Sequence, residues 1–454
     1  MPGDLIDPAW RGVTRLLQVR GAPRSAAASG SQLETADVDH PKVQEVQATT
    51  PRRALRLIGR LQVEVLEGAD SLPGLREEWT DLYRRVGTEP STSYDWTAAV
   101  VAHRLRPGDR VRIVVFRRYG QVVGLVPLLS RPFWHAQGFR HLMPLAEDQQ
   151  THSDWLVAER SPAMADAFVG ALQQIGQDWD RFRISQLIEG KPFLPLVVEA
   201  LRRRGIRYFV RPQPPSYFLS LPSTFGEYLA ARSSKFRNYL KRAERKIGAR
   251  AAVITVVEDP ADARAFDAGY RMLLAIERAS WKQSHGTSIA ASASQMSFFH
   301  DVCRGALADR RLHLQLLTIQ GEPVAYNLGL VWRRQYTYLK TSFSDAHRNL
   351  GAATFLRARL IEDLIGRGVT AVDFTGPLYR WEQQWTSELR GHSMLTVYSG
   401  TLRSRVLEVL ERARNHGAEQ TLTFVDPRMD PPPRVLRPGE QASQGTRLNW
   451  RARA

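Results

Sequence analysis

The period of the apolar residues changes several times along the chain, and each change marks an element. Residues 61–66 alternate apolar and polar side chains, the two-residue period of a strand, and Ser71-Leu-Pro-Gly-Leu-Arg-Glu-Glu then opens a helix. Two later stretches share a type without sharing much sequence. In the first, strands 111–116 and 122–129 flank a turn at 117–121. In the second, strands 312–319 and 324–331 flank the turn Gln320-Gly-Glu-Pro, and a turn at 333–335 leads into a third strand, 336–343. Each stretch runs on into a helix, predicted over 162–176 and 352–367. Each helix runs into a short apolar strand, 182–187 and 369–374. Antiparallel hairpins followed by strand–helix–strand predict an α/β (α+β) protein of two tandem domains, each a mixed, mostly antiparallel sheet flanked by helices.

Between the two stretches, Arg211-Pro-Gln-Pro-Pro-Ser predicts a break in regular structure. A helix with Ser and Thr capping options follows from about residue 220, then a strongly basic helix over 234–246. Residues 1–60 are rich in Ala, Ser, Gly, Pro and Gln and predict a disordered extension, with a short basic helix over 52–61. Residues 402–413 predict one more helix, and the Pro-, Arg- and Gly-rich remainder from about 426 predicts a disordered basic tail. The expected domains are therefore 61–215 and 216–400, with the extension before them and 401–454 after.

A length of 454 residues suits two cores plus tails. No apolar run is long enough to span a bilayer, and the N-terminus lacks the apolar block of a secretory signal. The single cysteine, Cys303, excludes an intramolecular disulfide and any multi-cysteine metal site, and His300, His313 and His347 lack metal-ligand spacing. A cytoplasmic protein without a metal is the expectation. The formal charge of +17 fits Arg-rich solvated faces, or attraction for a polyanion: CoA, nucleic acid, anionic lipid or a nucleotide-linked sugar. The run Lys235, Arg237, Lys241, Arg242, Arg245 and Lys246 covers more than one side of its helix, so it reads as a solvated face or as a phosphate contact.

The segment richest in chemistry is Ser344-Asp-Ala-His-Arg-Asn-Leu-Gly-Ala-Ala-Thr-Phe. A strand ends at about Phe343 and an Ala-rich helix starts near Ala352. Small residues between them let a bound group approach the backbone. The first amides of a helix lack partners and carry partial positive charge, so such a start holds phosphate. A plain strand–turn–helix junction uses the same residues. In the first stretch the equivalent junction reads Glu159-Arg-Ser-Pro-Ala: it has no glycine, an anion stands near the helix start, and Ser161-Pro162 caps the helix.

Arg348-x-x-Gly351-x-Ala353 between a strand and a helix resembles the pyrophosphate signature of GNAT acyltransferases. The ordered set around it resembles the CelD-type acetyltransferases of cellulose and exopolysaccharide synthesis, relatives of the FemAB peptidoglycan transferases. That set comprises Ser233-Ser-Lys-Phe-Arg-Asn-Tyr-Leu-Lys-Arg, Glu277-Arg-Ala-Ser-Trp-Lys with Gly286-Thr-Ser-Ile, Phe298-Phe, Gly321-Glu-Pro-Val-Ala, Tyr338-Leu-Lys-Thr-Ser-Phe-Ser, Gly351, and Asp373-Phe-Thr-Gly376 with Tyr379 and Trp385. The resemblance is good over 218–385, weaker over 61–186, and absent from both tails.

The resemblance implies tandem GNAT-like domains with the acyl-CoA cleft, for acetyl-CoA or another acyl-CoA, in the second. Arg348, Leu350, Gly351, Ala352 and Ala353 would cradle the pyrophosphate. The strand carrying Tyr338, Lys340 and Ser342 would flank the pantetheine. Glu277 would be the base, and Tyr379 would protonate the departing thiolate. Asp373 would orient substrate or cap its turn, and Trp281, Lys282 and Trp385 would meet the acceptor. For Glu277 a solvated helix position paired with Arg278 or Lys282 is the competing role, and for Tyr379 it is packing with Trp381 and Trp385. The implied acceptor is a small molecule or glycan precursor, with envelope-polysaccharide synthesis proteins and a peripheral membrane contact as further partners. DNA is not expected. A FemAB-like aminoacyl-tRNA transferase fits the charge but does not need the phosphate loop, and a non-catalytic scaffold is the third reading.

Overall fold

The computed structural model describes residues 53–58, 61–133, 138–146, 152–176, 178–261 and 263–415. The expected disorder of residues 1–52 and 416–454 lies outside them. The first half contains β1 (Arg53–Ile58), β2 (Leu61–Glu67), α1 (Arg76–Val86), α2 (Tyr94–Arg104), β3 (Arg110–Arg118), β4 (Gln121–Pro132), β5 (Arg140–Pro144), β6 (Leu156–Val157), α3 (Pro162–Gln174), β7 (Arg181–Ile188) and α4 (Phe193–Arg203). The bridging strand β8 (Tyr208–Ser220) leads to α5 (Phe225–Ala230), α6 (Ser234–Gly248), β9 (Ala252–Val257), α7 (Ala263–Arg278), α8 (Trp281–Ser284) and α9 (Ala293–Ala308). Then come β10 (Leu312–Ile319), β11 (Glu322–Trp332), β12 (Gln335–Phe343), α10 (Ala352–Gly366), β13 (Ala371–Asp373), β14 (Leu389–Tyr398) and α11 (Leu402–Asn415).

The strands form one continuous sheet in the order β1-β2-β3-β4-β5-β7-β14-β8-β13-β12-β11-β10-β9, with β6 added beside β4. The pairs are antiparallel except β5–β7 and β12–β13, so the fold is mixed α/β with a mostly antiparallel sheet. These two parallel pairs occupy equivalent places in the two halves, each closed by its crossover helix, α3 or α10. One apolar core joins α1 and α2 of the first half to α7, α9, β10 and β11 of the second. On the opposite face, α3 and α4 cover β2–β7, and α6 and α10 cover β8, β12 and β13.

Two expectations are corrected here. Residues 211–216 are not a break; they lie inside β8. Three prolines are tolerated because β8 pairs along this stretch with β14 alone, across an irregularity at Gly391, so proline nitrogens can face an unpaired edge. Residues 53–58 are a strand, not a basic helix: they extend the sheet edge by pairing with β2, from Arg53↔Leu66 to Ile58↔Leu61.

Candidate active site

The parallel pair β12–β13 holds for only three residue pairs, Gln335↔Ala371 to Thr337↔Asp373. Beyond Thr337, β12 runs on to Phe343 with β11 on one side and, among the described residues, no strand on the other, so the sheet forks. Thr375 marks the root by donating from Oγ1 to the Tyr338 carbonyl (2.9 Å). The chain leaves there through two successive left-handed residues, Thr375 (φ 52°) and Gly376 (φ 65°). A register shift between Leu328 and Gly329 makes Leu339 a bulge just inside the fork, which locally disturbs the ladder of β12.

The fork's mouth is the loop into α10. Gly351 is the N-cap residue in the left-handed conformation (φ 72°), and no side chain caps the helix. A Cβ at Gly351 would stand 3.1 Å from Ala243 Cβ and 3.2 Å from Tyr239 Oη, both on α6. The basic helix therefore lies beside the loop, where Lys246 donates to the Asn349 carbonyl (2.9 Å). Arg348 stands on the surface, paired with Asp345 at 3.2 Å, and Leu350 packs onto a small core cluster. The uncapped helix start is thus the main chain of 351–353, with α6 along one side.

Cross-strand partners share a face, so Ser342 (opposite Tyr326) and Lys340 (opposite Leu328) point toward α7–α9. On that face Glu277 is fully buried. Its Oε1 accepts from Tyr326 Oη (2.5 Å) and Lys282 Nζ (3.3 Å), and its Oε2 accepts from the Ile289 amide (2.8 Å). Burial would raise its carboxyl, but the Lys282 ammonium, Tyr326, Ile289 and Ser288 together hold it below the usual range. Glu277 is therefore a buried anion with its oxygens engaged, not the solvated helix residue that was the competing role. Lys282 also donates to the Thr341 carbonyl (2.6 Å). Lys340 is half-buried with Nζ 5.5 Å from the Phe299 ring centroid. Burial, with Lys282 and Arg104 adding and Glu277 opposing, lowers its ammonium to about 8. The Ser342 hydroxyl is buried without a hydrogen-bond partner.

The opposite face of β12 carries Tyr338, whose ring stacks on Phe374 (5.4 Å, 11°). Its hydroxyl donates to Asn327 Oδ1 (3.2 Å) and accepts from Arg357 Nε (3.2 Å). Arg357, buried on α10, lies 3.9 Å from the centroid of Trp381. Beyond the fork, Tyr379 stacks on Trp381 (6.3 Å, 16°), as its packing role requires. Burial, then Glu382, raises its phenol to about 12. Glu382 itself is buried; burial drives its carboxyl well above the ordinary range, against the Tyr379 amide and Arg357 and with Asp373 adding.

Asp373, at the root of the fork, is fully buried. Its oxygens accept from the Thr375 amide (2.9 Å) and Arg390 (2.5 Å), and both lie 3.0 Å from His152 Nε2. It caps its turn, as one of its two expected roles has it, and also ties the first half to the second. Trp385 is a correction. It is 0% exposed, set edge-on against Phe236 with its carbonyl accepting from Tyr228 and Arg232, so an acceptor does not reach it. Trp281 is half-exposed at the start of α8, edge-on to His285. Arg357, Glu382, Tyr326 and His152 were missed. Nothing in their local sequence marks them; a buried charged residue becomes visible only once its burial is known. Among the described residues no group of His, Cys, Asp and Glu is placed to hold a metal ion.

The first half is closed where the second forks. After β5 the chain returns as β6 beside β4, and Ser153 bridges Leu187 of β7. A cavity of about 20 Å³ remains between Leu125, Pro144, Trp155 and Phe182, room for about one water. Its helix α3 is capped by Ser161, which accepts from the Met164 amide (3.3 Å), and Glu159 is spent on Arg118.

Residues 234–383, from the start of α6 through the far wall of the fork, match the family model described as acetyltransferase (GNAT) domain. That match spans about a third of the chain and says what this stretch is similar to. No curated protein matches the sequence. Among solved structures, FemX aligns at 12% identity over 74% of this chain and 98% of its own, with a TM-score of 0.51. L-PGS from Bacillus licheniformis aligns at 14% identity over 74% and 95%, TM-score 0.45. A tandem GNAT protein from the clavulanic acid biosynthesis pathway aligns at 13% over 75% and 99%, TM-score 0.38. At these identities the likeness to FemX speaks for the fold alone. No helix among the described residues is long and apolar enough to cross a membrane.

Proposed function

We propose that the GNAT domain transfers an acyl group, acetyl in the simplest case, from a CoA thioester to an amine or hydroxyl of a small sugar-like acceptor used in polysaccharide or envelope synthesis. The observation that carries the reading is the open fork of β12 and β13 ending at the uncapped, left-handed start of α10. The main-chain amides of Ala352 and Ala353, with Tyr239 and Lys246 nearby on α6, would hold the diphosphate, and the free edge of β12 would flank the pantetheine. The acceptor class rests on the resemblance to CelD-type enzymes.

In this reading Lys340, rather than Glu277, takes the acceptor's proton. An amine lowered to about 8 holds a usable lone pair near neutrality, whereas Glu277 is already committed to three donors. The acceptor nitrogen or oxygen attacks the thioester carbonyl, the new bond to carbon forms, and the C–S bond breaks. Tyr379, its phenol protonated up to about 12, stands on the far wall to return a proton to the thiolate. Glu277 fixes Lys282 and, through its negative charge, keeps Lys340 from falling further.

Calorimetric titration of the full chain with acetyl-CoA tests this. Ala353→Glu places an anion on the first turn of α10, which favours the helix but repels a diphosphate, so folding is kept while affinity falls at least ~10-fold. A wild-type chain that binds no CoA thioester overturns the proposal. The likeness of fold to FemX, together with α6 beside the loop, favours one second reading, a FemAB-like transferase using aminoacyl-tRNA. Binding of charged tRNA without CoA affinity would select it.

A further inference from the structure

Helix α11 lies on the protein with its polar side inward. Ser404 donates to the Asp180 carbonyl (2.6 Å), Glu408 accepts from Arg207 (2.8 Å), and Glu411 accepts from Tyr398 Oη (2.6 Å), Arg181 and Arg183. The outward side is aliphatic: Leu402 is 80% exposed, Val406 55%, Val409 63% and Leu410 42%. These positions recur every three or four residues, so they form one stripe along the helix. The helix buries both its acids together with Leu407 (1% exposed) and leaves four aliphatic residues in water, more than anchoring to the protein requires.

We propose that α11 seats the protein on an anionic lipid membrane, with the stripe entering the boundary between headgroups and acyl chains. Charge complementarity selects this occupant. With Glu408 and Glu411 turned inward, the described side chains on the outer face of the helix are aliphatic, flanked by the exposed Arg405 and by Arg403, which is also exposed while pairing with Asp180 (3.3 Å), with Arg207 reaching the surface beside it. The chain as a whole carries +17. An aliphatic stripe edged by arginine is the pattern of a helix lying in the membrane plane. A second copy of the chain fits less well, since the stripe offers only a few hundred Å², short of the roughly 800 Å² per partner that a stable dimer buries. A nucleic acid would meet the arginines and leave the stripe wet.

Co-sedimentation of the full-length protein with vesicles tests the proposal. Binding is expected to phosphatidylcholine vesicles containing phosphatidylglycerol, weaker to phosphatidylcholine alone, and reduced by salt. The exposed triple substitution L402S/V406S/V409S should lower the partition coefficient at least ~10-fold while thermal unfolding and acetyl-CoA binding stay unchanged. Arg405→Glu should weaken binding and flatten its salt dependence. The proposal is overturned if the triple variant sediments like wild type. It is also overturned if the wild type is a dimer that the triple variant makes monomeric, or if a duplex oligonucleotide binds wild type and triple variant equally while vesicles bind neither. Because acetyl-CoA binding is measured separately, failure here leaves the acyltransferase reading standing, and the reverse also holds.

Discussion

Replacing Lys340 by methionine should remove the rising, acid-side limb of the pH profile for acyl transfer. The ammonium drops from an ordinary 10.5 to about 8, so at pH 8 about half the molecules carry a neutral amine, against roughly one in 300 for an ordinary lysine. Wild-type kcat/KM should therefore rise with pH and level off above an apparent value of about 8. Methionine keeps the half-buried volume beside Phe299 but accepts no proton, and a lost general base costs ~10²-fold or more. The neighbours supply a sharper test, because their signs are fixed. Glu277 raises the Lys340 value and Lys282 lowers it. Glu277→Gln should move the limb to lower pH, and Lys282→Met should move it to higher pH. Initial rates of thiol release at acceptor concentrations well below KM, from about pH 6 to 10, would read all three variants. A limb that survives in Lys340→Met, or neighbour shifts of the opposite sign, would refute the assignment.

Two further predictions concern the root and mouth of the fork. Asp373→Ala leaves Arg390 and His152 without their shared carboxylate and should cost ~3–5 kcal/mol in urea unfolding at neutral pH. Burial raises the Asp373 carboxyl, but His152 and Arg390 hold it below its ordinary 3.8, so its contribution is present above that value and fades as pH falls through the lower folded one. The gap between wild type and variant should therefore close in acid. Gly351→Ala forces a Cβ into a left-handed residue 3.1 Å from Ala243, and should cost ~1–2 kcal/mol by denaturant melts while weakening acetyl-CoA binding. An unchanged melt would show that α6 yields freely.

The repeated hairpins and the crossover helices were legible because their apolar period changes sharply at Gly turns, and the loop from Arg348 to Ala353 was legible because small residues cluster where a strand hands over to a helix. The prolines of β8 misled because their meaning depends on which edge of the strand is paired, and that is set by β14, some 180 residues later in the chain. The cluster of His152, Asp373, Arg390 and His392 was out of reach for the same reason: its members come from three separate segments and meet only in the folded sheet. Arg357 and Glu382 read as ordinary surface charges until the fold buries them.

The two halves show what distinguishes an open fork from a closed one. Both have a parallel pair joined through a crossover helix, so the topology alone decides nothing. In the first half, the chain after β5 folds back as β6, Trp155 and Phe182 fill the gap, and Ser161 caps the helix start by accepting from the Met164 amide. In the second half β13 stops after Asp373, and Gly351 leaves α10 uncapped. Yet the first half is not spare. Its His152 reaches Asp373 where the second fork begins, and its α1 and α2 share one core with α7 and α9, the helices that position Glu277 and Phe299. The closed half thus serves as the wall against which the open half is held, and the second half expressed alone would expose that core face and lose the anchor at Asp373.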